Sequence, residues 1–168
     1  MAFQSLSAFY EPSPYRNIRD SLDKPYFTFW MQHRERSGEI GGQVTFGGFD
    51  DEHCAKHINW VPLTRAVLYQ FSIDGVSAGN FVSNQRQSAF SDTGNSFLRG
   101  PQDKIFGIAN AFRARFDPRL RLIQNNCYLA LGMQRFNPAW AFGDTFIRAW
   151  CTVYDPVKKR IGFAKASP

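Results

Sequence analysis

The stretch Ala89-Phe-Ser-Asp-Thr-Gly-Asn-Ser-Phe-Leu-Arg-Gly-Pro101 holds the residues of this chain best suited to chemistry. Its acid, Asp92, follows a short apolar run and is succeeded by Thr93, Gly94 and the small polar pair Asn95 and Ser96. That order sets a carboxylate at the tip of a tight loop, where glycine lets the backbone approach closely and nearby amides and hydroxyls can orient the acid. A carboxylate so held can take a proton from water or give one to a reacting oxygen. The tripeptide Asp-Thr-Gly is short enough to arise by chance, and alone it reads equally well as a turn between a strand and a helix.

Two further groups invite a chemical reading. His53, Cys54 and His57 have the donor types of a zinc site, but no second cluster completes a set of four ligands, which favours a loop with exposed histidines. Arg113, Arg115, Arg119 and Arg121 alternate with Ala, Phe and Leu, a pattern able to hold phosphates with aromatic support. The same residues suit a solvated helix end and turn, where the helix dipole favours cations. The second reading is preferred, so nucleic acid is not expected as a partner.

Composition limits the rest. With 168 residues, 43% of them apolar and 16% aromatic, including 17 Phe, the chain fits one domain with an ample core and is not a mainly disordered segment. The formal net charge of +6 comes from the second half: residues 1–84 carry 7 basic and 9 acidic residues, residues 85–168 carry 13 and 5. Such asymmetry permits an acidic partner but speaks to association rather than to fold. No apolar run approaches the ~18 residues that cross a bilayer, so no membrane partner is expected. Met1 to Tyr10 lacks the basic start and sustained apolar stretch of a secretory leader. Cys54, Cys127 and Cys151 are too few for a disulfide scaffold, and their odd number leaves at least one unpaired within the chain.

The elements that must position Asp92 read as mostly β. Residues 1–20, with Pro12 and Pro14, form a lead-in, and a short helix is expected near Tyr15 to Leu22. Tyr26 to Met31 is an aromatic and β-branched run that stops at a charged loop, His33 to Gly38. The glycine-framed run from Gly41 to Gly48 is a second strand, paired with the first. Short strands follow at Asn59 to Val61, Leu68 to Ile73, Phe81 to Ser83 and Ala89 to Ser91. After Gly100 and Pro101, the spacing of Ile105, Ile108, Ala109 and Phe112 predicts an amphipathic helix covering a sheet face. Strands resume at Cys127 to Leu131 and Ala139 to Phe142, and Ala149 to Tyr154 with Arg160 to Ala164 form a hairpin across Asp155 to Lys159.

The order of these blocks carries more than any one of them. The stretch around Asp92 resembles the second active-site loop of the pepsin-like aspartic proteases: a hydrophobic strand, Asp-Thr-Gly, two small polar residues, then Gly-Pro opening a helix. GGQVTFGGFD, at 41–50, resembles the glycine-framed hairpin of that family's C-terminal lobe. NWVPL from Asn59, with Tyr69 to Phe71, resembles the strand pair that follows it. AWAFGDTFIR, from Ala139 to Arg148, resembles the family's block of two hydrophobic residues and Gly-Asp, and Val153 to Asp155 with Arg160 to Ala164 resembles its closing hairpin. The likeness covers about residues 20 to 165.

This resemblance implies a mainly β fold, a single lobe of the pepsin-like β-barrel with one or two short helices, over residues 21–168. It implies aspartic-type endopeptidase activity on peptide or protein substrates, with no metal or organic cofactor. Asp92 would be the catalytic acid and base, Thr93 and Gly94 would shape its loop, and Asn95 and Ser96 would support it or contact substrate. Asn95 stands where the family has Thr or Ser, whose hydroxyl bonds the carboxylate; an Asn amide offers a longer arm for the same task. Asp144 belongs to the Gly-Asp block, which packs beside the loop in a structural role. The family uses two aspartates from two lobes, and one such loop is present here, so completion of the site calls for an N-terminal lobe or a second copy. An inactive protease fragment and a peptide-binding lobe are the alternatives. The family also brings together the segments of Cys54 and Cys151, which implies a disulfide between them, against two buried thiols. In the family a segment between the counterparts of Ile123 and Asn126 carries the cysteine that pairs with the one here numbered Cys127, so the resemblance implies that Cys127 has lost its partner. The family implies an extracellular or lysosomal location.

Overall fold

The aromatic run read as a strand from Tyr26 is one, and it lies inside a sheet rather than at its edge. In the computed structural model, residues 14–32, 41–117, 121–124 and 127–167 are described. The first part of the lead-in, the charged loop from His33 to Gly38, Arg119 and the side chains of Arg121 and Cys127 lie outside them. In chain order the helices are α1 (Pro14–Ile18), α2 (Gln102–Ala111) and α3 (Asp144–Ile147). The first strands are β1 (Phe27–Met31), β2 (Gly42–Phe46), β3 (Asn59–Pro62), β4 (Gln70–Ile73), β5 (Val76–Ala78), β6 (Phe81–Ser83), β7 (Gln87–Ser91) and β8 (Leu98–Gly100). Then come β9 (Arg115–Asp117), β10 (Arg121–Gln124), β11 (Cys127–Tyr128), β12 (Leu131–Met133), β13 (Trp140–Phe142), β14 (Trp150–Asp155) and β15 (Arg160–Lys165). The architecture is mainly β with short helices, as a pepsin-like lobe requires. The chain divides into two compact units, Met1–Phe71 with Phe146–Pro168, and Ser72–Thr145.

The first unit is built on a five-stranded sheet in the order β2-β1-β14-β15-β3. The expected hairpins are present: β1 pairs antiparallel with β2, with Phe29 opposite Val44, and β14 with β15, with Val153 opposite Gly162. Along β1, Phe27, Thr28, Phe29 and Trp30 are all buried, so both faces of this strand are covered. Aromatic packing follows from that composition. Phe27 stacks on Tyr154 with centroids 4.9 Å apart, and Tyr69 meets Tyr154 edge-on at 4.7 Å. Thr28, fully buried on β1, donates its hydroxyl to Gly48 O at 3.0 Å, which leaves no orphan polar atom on that side chain. The lead-in contributes as well: α1 carries Tyr15, 5% exposed, whose ring lies 5.0 Å from that of Phe27 and whose hydroxyl donates to Pro25 O.

Cys54 and Cys151 form a disulfide across 97 residues of sequence. Both are buried, with Trp30 and Ala164 around them. The bond ties the loop before β3 to β14, and the backbone adds Cys54 paired with Ala166 as an isolated bridge. The zinc reading of this region is thereby closed, because Cys54 is spent in the disulfide. His53 is not the exposed loop residue expected: its ring stacks on Trp30 at 3.8 Å, and its Nδ1 lies 2.9 Å from the carboxylate of buried Asp50. His57 is exposed as read.

The second unit holds a sheet ordered β12-β8-β13-β7-β4, with β4, where the chain passes from one unit to the other, at its edge. The unit also holds the β5-β6 hairpin and the β9-β10-β11 meander. Gly79, at φ +54°, turns the two-residue β5-β6 connection, a conformation that costs most side chains energy. The helix predicted after Pro101 is α2, and it buries Ile105, Ile108 and Ala109 against neighbours that include β5, β6, β8 and β12. Phe112 departs from that face. It is the C-cap residue and 46% exposed, because the helix ends one residue before the fourth apolar position. Arg113 and Arg115 are exposed beyond that end, as expected of a solvated helix terminus.

Two stability measurements follow. Reduction of the disulfide, or Cys151→Ser, should lower unfolding stability by about 2–4 kcal/mol, since the bond restricts a long loop of the unfolded chain; an unchanged urea midpoint on reduction would count against it. Burial raises the Tyr15 phenol above its ordinary value, with Asp155 and Asp20 adding to the rise and Arg19 opposing it. The fold thus prefers the neutral phenol, and its contribution is complete below about pH 10 and lost as pH climbs through the raised value. Tyr15→Phe should therefore leave stability below about pH 10 with the same pH dependence as the parent and flatten the fall above it.

Candidate active site

Strand order decides how Asp92 is held. β13 lies between β7 and β8, parallel to the first and antiparallel to the second. The chain therefore leaves β7 at Ser91, crosses over the end of β13 and re-enters the sheet at Leu98, spanning two strand spacings, about 10 Å. Phe142 ends β13 opposite both Ser91 and Leu98. The residues that continue β13 must then run beneath the crossing loop.

They do so as a clamp made largely of backbone. Asp92 N–H donates to Phe142 O at 3.0 Å, Asp144 N–H donates to Asn95 O at 2.8 Å, and the Thr145 hydroxyl donates to Ser96 O at 2.8 Å. Within the loop, Asn95 N–H closes a turn onto Asp92 O at 3.2 Å. Gly143 sits where a Cβ would press into Asn95 O and Phe97 O, so the approach is available only to glycine. Asp144, expected to be structural, contributes its N–H to this clamp. Its carboxylate Oδ1 is buried without a hydrogen-bond partner among the described residues.

The side chains of the loop divide into two groups. The Asp92 carboxylate is half-buried and accepts the Gly94 N–H at 3.0 Å through Oδ1. Thr93 is half-buried, while Gly94 and Ser96 are exposed. The Asn95 amide bonds to groups other than the Asp92 carboxylate. Its Nδ2 donates to Phe97 O, and its Oδ1 accepts from Arg99 Nε at 2.9 Å. The amide is thus engaged by Phe97 and Arg99, and among the described residues the hydrogen bond to the Asp92 carboxylate comes from Gly94. Arg99 is the participant that reading the sequence missed. The available signal was a charged residue between Leu98 and Gly100, in the middle of an otherwise apolar strand and four positions after an Asn.

A loop of this sequence, held by a Gly-Asp block threaded between its two strands, is a specific arrangement. The family model for eukaryotic aspartyl proteases matches residues 1–119 and 118–166. The chain belongs to the eukaryotic aspartyl protease family. It is 31% identical to "Aspartic protease 6" of Caenorhabditis elegans over 85% of this chain and 46% of that protein. With "Aspartic protease 2" of Necator americanus it shares 32% identity over 98% of this chain and 47% of that protein. With "Cathepsin E" of Mus musculus it shares 28% over 86% of this chain and 46% of that protein. The chain spans about half the length of the curated relatives it matches. The alignment with "Aspartic protease 17" of Caenorhabditis elegans runs over 207 residues, longer than this entire chain of 168, so that relative carries stretches absent here. The two matched stretches of the aspartyl protease model meet at 118–119, close to where the missing segment was expected.

The clamp yields a sharp comparison. Gly143→Ala should cost about 1–3 kcal/mol, because the new methyl meets backbone oxygens that cannot swing aside. Gly48→Ala, where the nearest atom to a new Cβ is Thr45 Cγ2 at 3.9 Å, should stay within about 0.5 kcal/mol of the parent. Equal unfolding midpoints for the two variants would sink the clamp.

Proposed function

We propose that this chain contributes one catalytic aspartate, Asp92, to an aspartic endopeptidase site whose second carboxylate comes from an N-terminal lobe or from a second copy. The observation that carries this reading is the placement of Asp92: a half-buried carboxylate on a turn fixed by Phe142, Asp144 and Thr145, with Oδ1 on the Gly94 N–H. Two such carboxylates brought a few ångströms apart share one proton, since both cannot ionise cheaply. The ionised member draws a proton from a water between them, and that water attacks the peptide carbonyl. The protonated member delivers its proton to the developing oxyanion. Thr93 and Gly94 shape the loop in this scheme, Asn95 supports it through its amide network, and exposed Ser96 is free to meet an extended peptide. No metal or organic group is needed for these steps. The disulfide favours an oxidising location, extracellular or lysosomal.

A second reading, a lobe that binds peptides without cleaving them, draws support from Asn95. Its amide is engaged elsewhere, so the Asp92 carboxylate has the Gly94 N–H as its hydrogen bond among the described residues. Cleavage separates the two. The chain joined by a completing lobe, or self-associated, should hydrolyse denatured protein at acid pH, and Asp92→Asn should abolish this, as should a pepstatin-like inhibitor. Proteolysis by a strictly monomeric preparation, or unchanged in Asp92→Asn, would overturn the proposal.

A further inference from the structure

Arg99 has a cation's charge, a half-buried position and, among the described residues, no carboxylate partner. Its stem crosses Gly132, where a Cβ would lie 3.1 Å from Arg99 Cγ, so the missing side chain there is what makes room for it. Its guanidinium lies 5.9 Å from the centre of the Phe97 ring, and Nε is fixed on Asn95 Oδ1 at 2.9 Å. The other half-buried cations among the described residues have anions beside them: Arg19 has Asp20, Lys104 has Asp103 and Arg160 has Asp155. Among the described residues no acid pairs with Arg99. A partly desolvated guanidinium without a counter-ion is unfavourable, and its two Nη groups form a fork suited to a carboxylate.

The same contacts tie this cation to the loop of Asp92. Arg99 Nε holds the Asn95 side chain, and the Asn95 N–H holds Asp92 O. With one edge of the guanidinium fixed in this way, the plane of the remaining donors is set before any ligand arrives. We propose that Arg99 is a specificity residue that receives an acidic side chain of the peptide, so that the substrates of this site are peptides with Asp or Glu near the bond at Asp92. This inference rests on the peptide site proposed above and names its substrate class.

Binding tests it apart from catalysis. The 15N-labelled full chain is titrated with pairs of extended peptides that differ only in Glu or Gln at one position near the centre, with affinity and the Arg99 Nε–H resonance as readouts. The Glu peptide should bind roughly ten-fold more tightly at its best position, as a charge-assisted hydrogen bond provides. It should shift the Arg99 resonance, and the preference should shrink with salt. Arg99→Gln should remove the preference, and Arg86→Gln, at its exposed pair with Asp74, should keep it. If Arg99→Gln does not fold, Arg99→Lys replaces it: retained charge without the fork should leave a reduced preference for Glu. Equal binding of the two peptides, binding of neither, or a full preference surviving Arg99 replacement would each overturn the inference. A preference for Glu in binding alongside no hydrolysis by the completed assembly would instead refute the endopeptidase reading alone.

Discussion

The insertion of β13 between β7 and β8 is the constraint from which the geometry around Asp92 follows. A loop joining two adjacent strands could fold back as a hairpin and leave its tip in solvent. A loop joining strands that flank a third must cross that third strand's end, so its backbone meets whatever continues from there. Phe142, Asp144 and Thr145 supply the hydrogen-bonding groups that meet it, and Gly143 supplies the closeness. The loop is thus held largely through main-chain atoms, which depends less on side-chain identity than a network of side chains would. That tolerance is consistent with Asn95 standing at a position where the family has a hydroxyl.

Within the other unit, stability has a different source. β1 and β14 are buried over nearly their whole lengths, and the aromatic rings of Tyr15, Phe27, Tyr69 and Tyr154 form one packed group on the sheet. Aromatic side chains bury large areas each, so a few of them do the work of many aliphatic residues. The disulfide acts at the opposite end of the same sheet from the β14-β15 turn and fixes a loop that otherwise depends on His53, Asp50 and a few backbone bonds. At the turn itself, Asp155 is buried but paired, accepting from Arg160 Nε at 2.8 Å and from Lys158 N–H at 3.0 Å. A buried carboxylate is tolerable on those terms.

Elements with a strong local pattern were legible. β1 announced itself by consecutive aromatic and β-branched residues, β14 and β15 by two apolar runs around Asp155 to Lys159, and α2 by apolar spacing behind a proline. Elements that owe their form to neighbours were not. β8 is three residues long and contains Arg99 and Gly100, so nothing local marks it as a strand; it is one because β12 and β13 offer backbone partners on both sides. β5, also three residues long, rests on its hairpin with β6 and on α2. The run from Leu68 to Ile73 divided, with a 3-10 turn at Ala66–Leu68 and a left-handed Tyr69 preceding β4. α3 is a single turn whose first residues, Asp144 and Thr145, belong to the clamp, and it is too short to carry any periodicity.

For the site, residue types and their order were enough to single out Asp92, its loop and the block that packs beside it, because a tight turn with glycine and a close approach through Gly143 restrict which residues can stand there. Sequence also marked Cys54 and Cys151 through the family pattern. It left open what Asn95 does, and it passed over Arg99. Those two side chains meet only because the chain re-enters the sheet at β8 and turns Arg99 back toward the loop, and hydrogen bonds of that kind depend on distances and directions in space that residue order does not encode. The chain thus specified the acid and its turn by itself, while the folded structure alone decided which neighbours that turn would have.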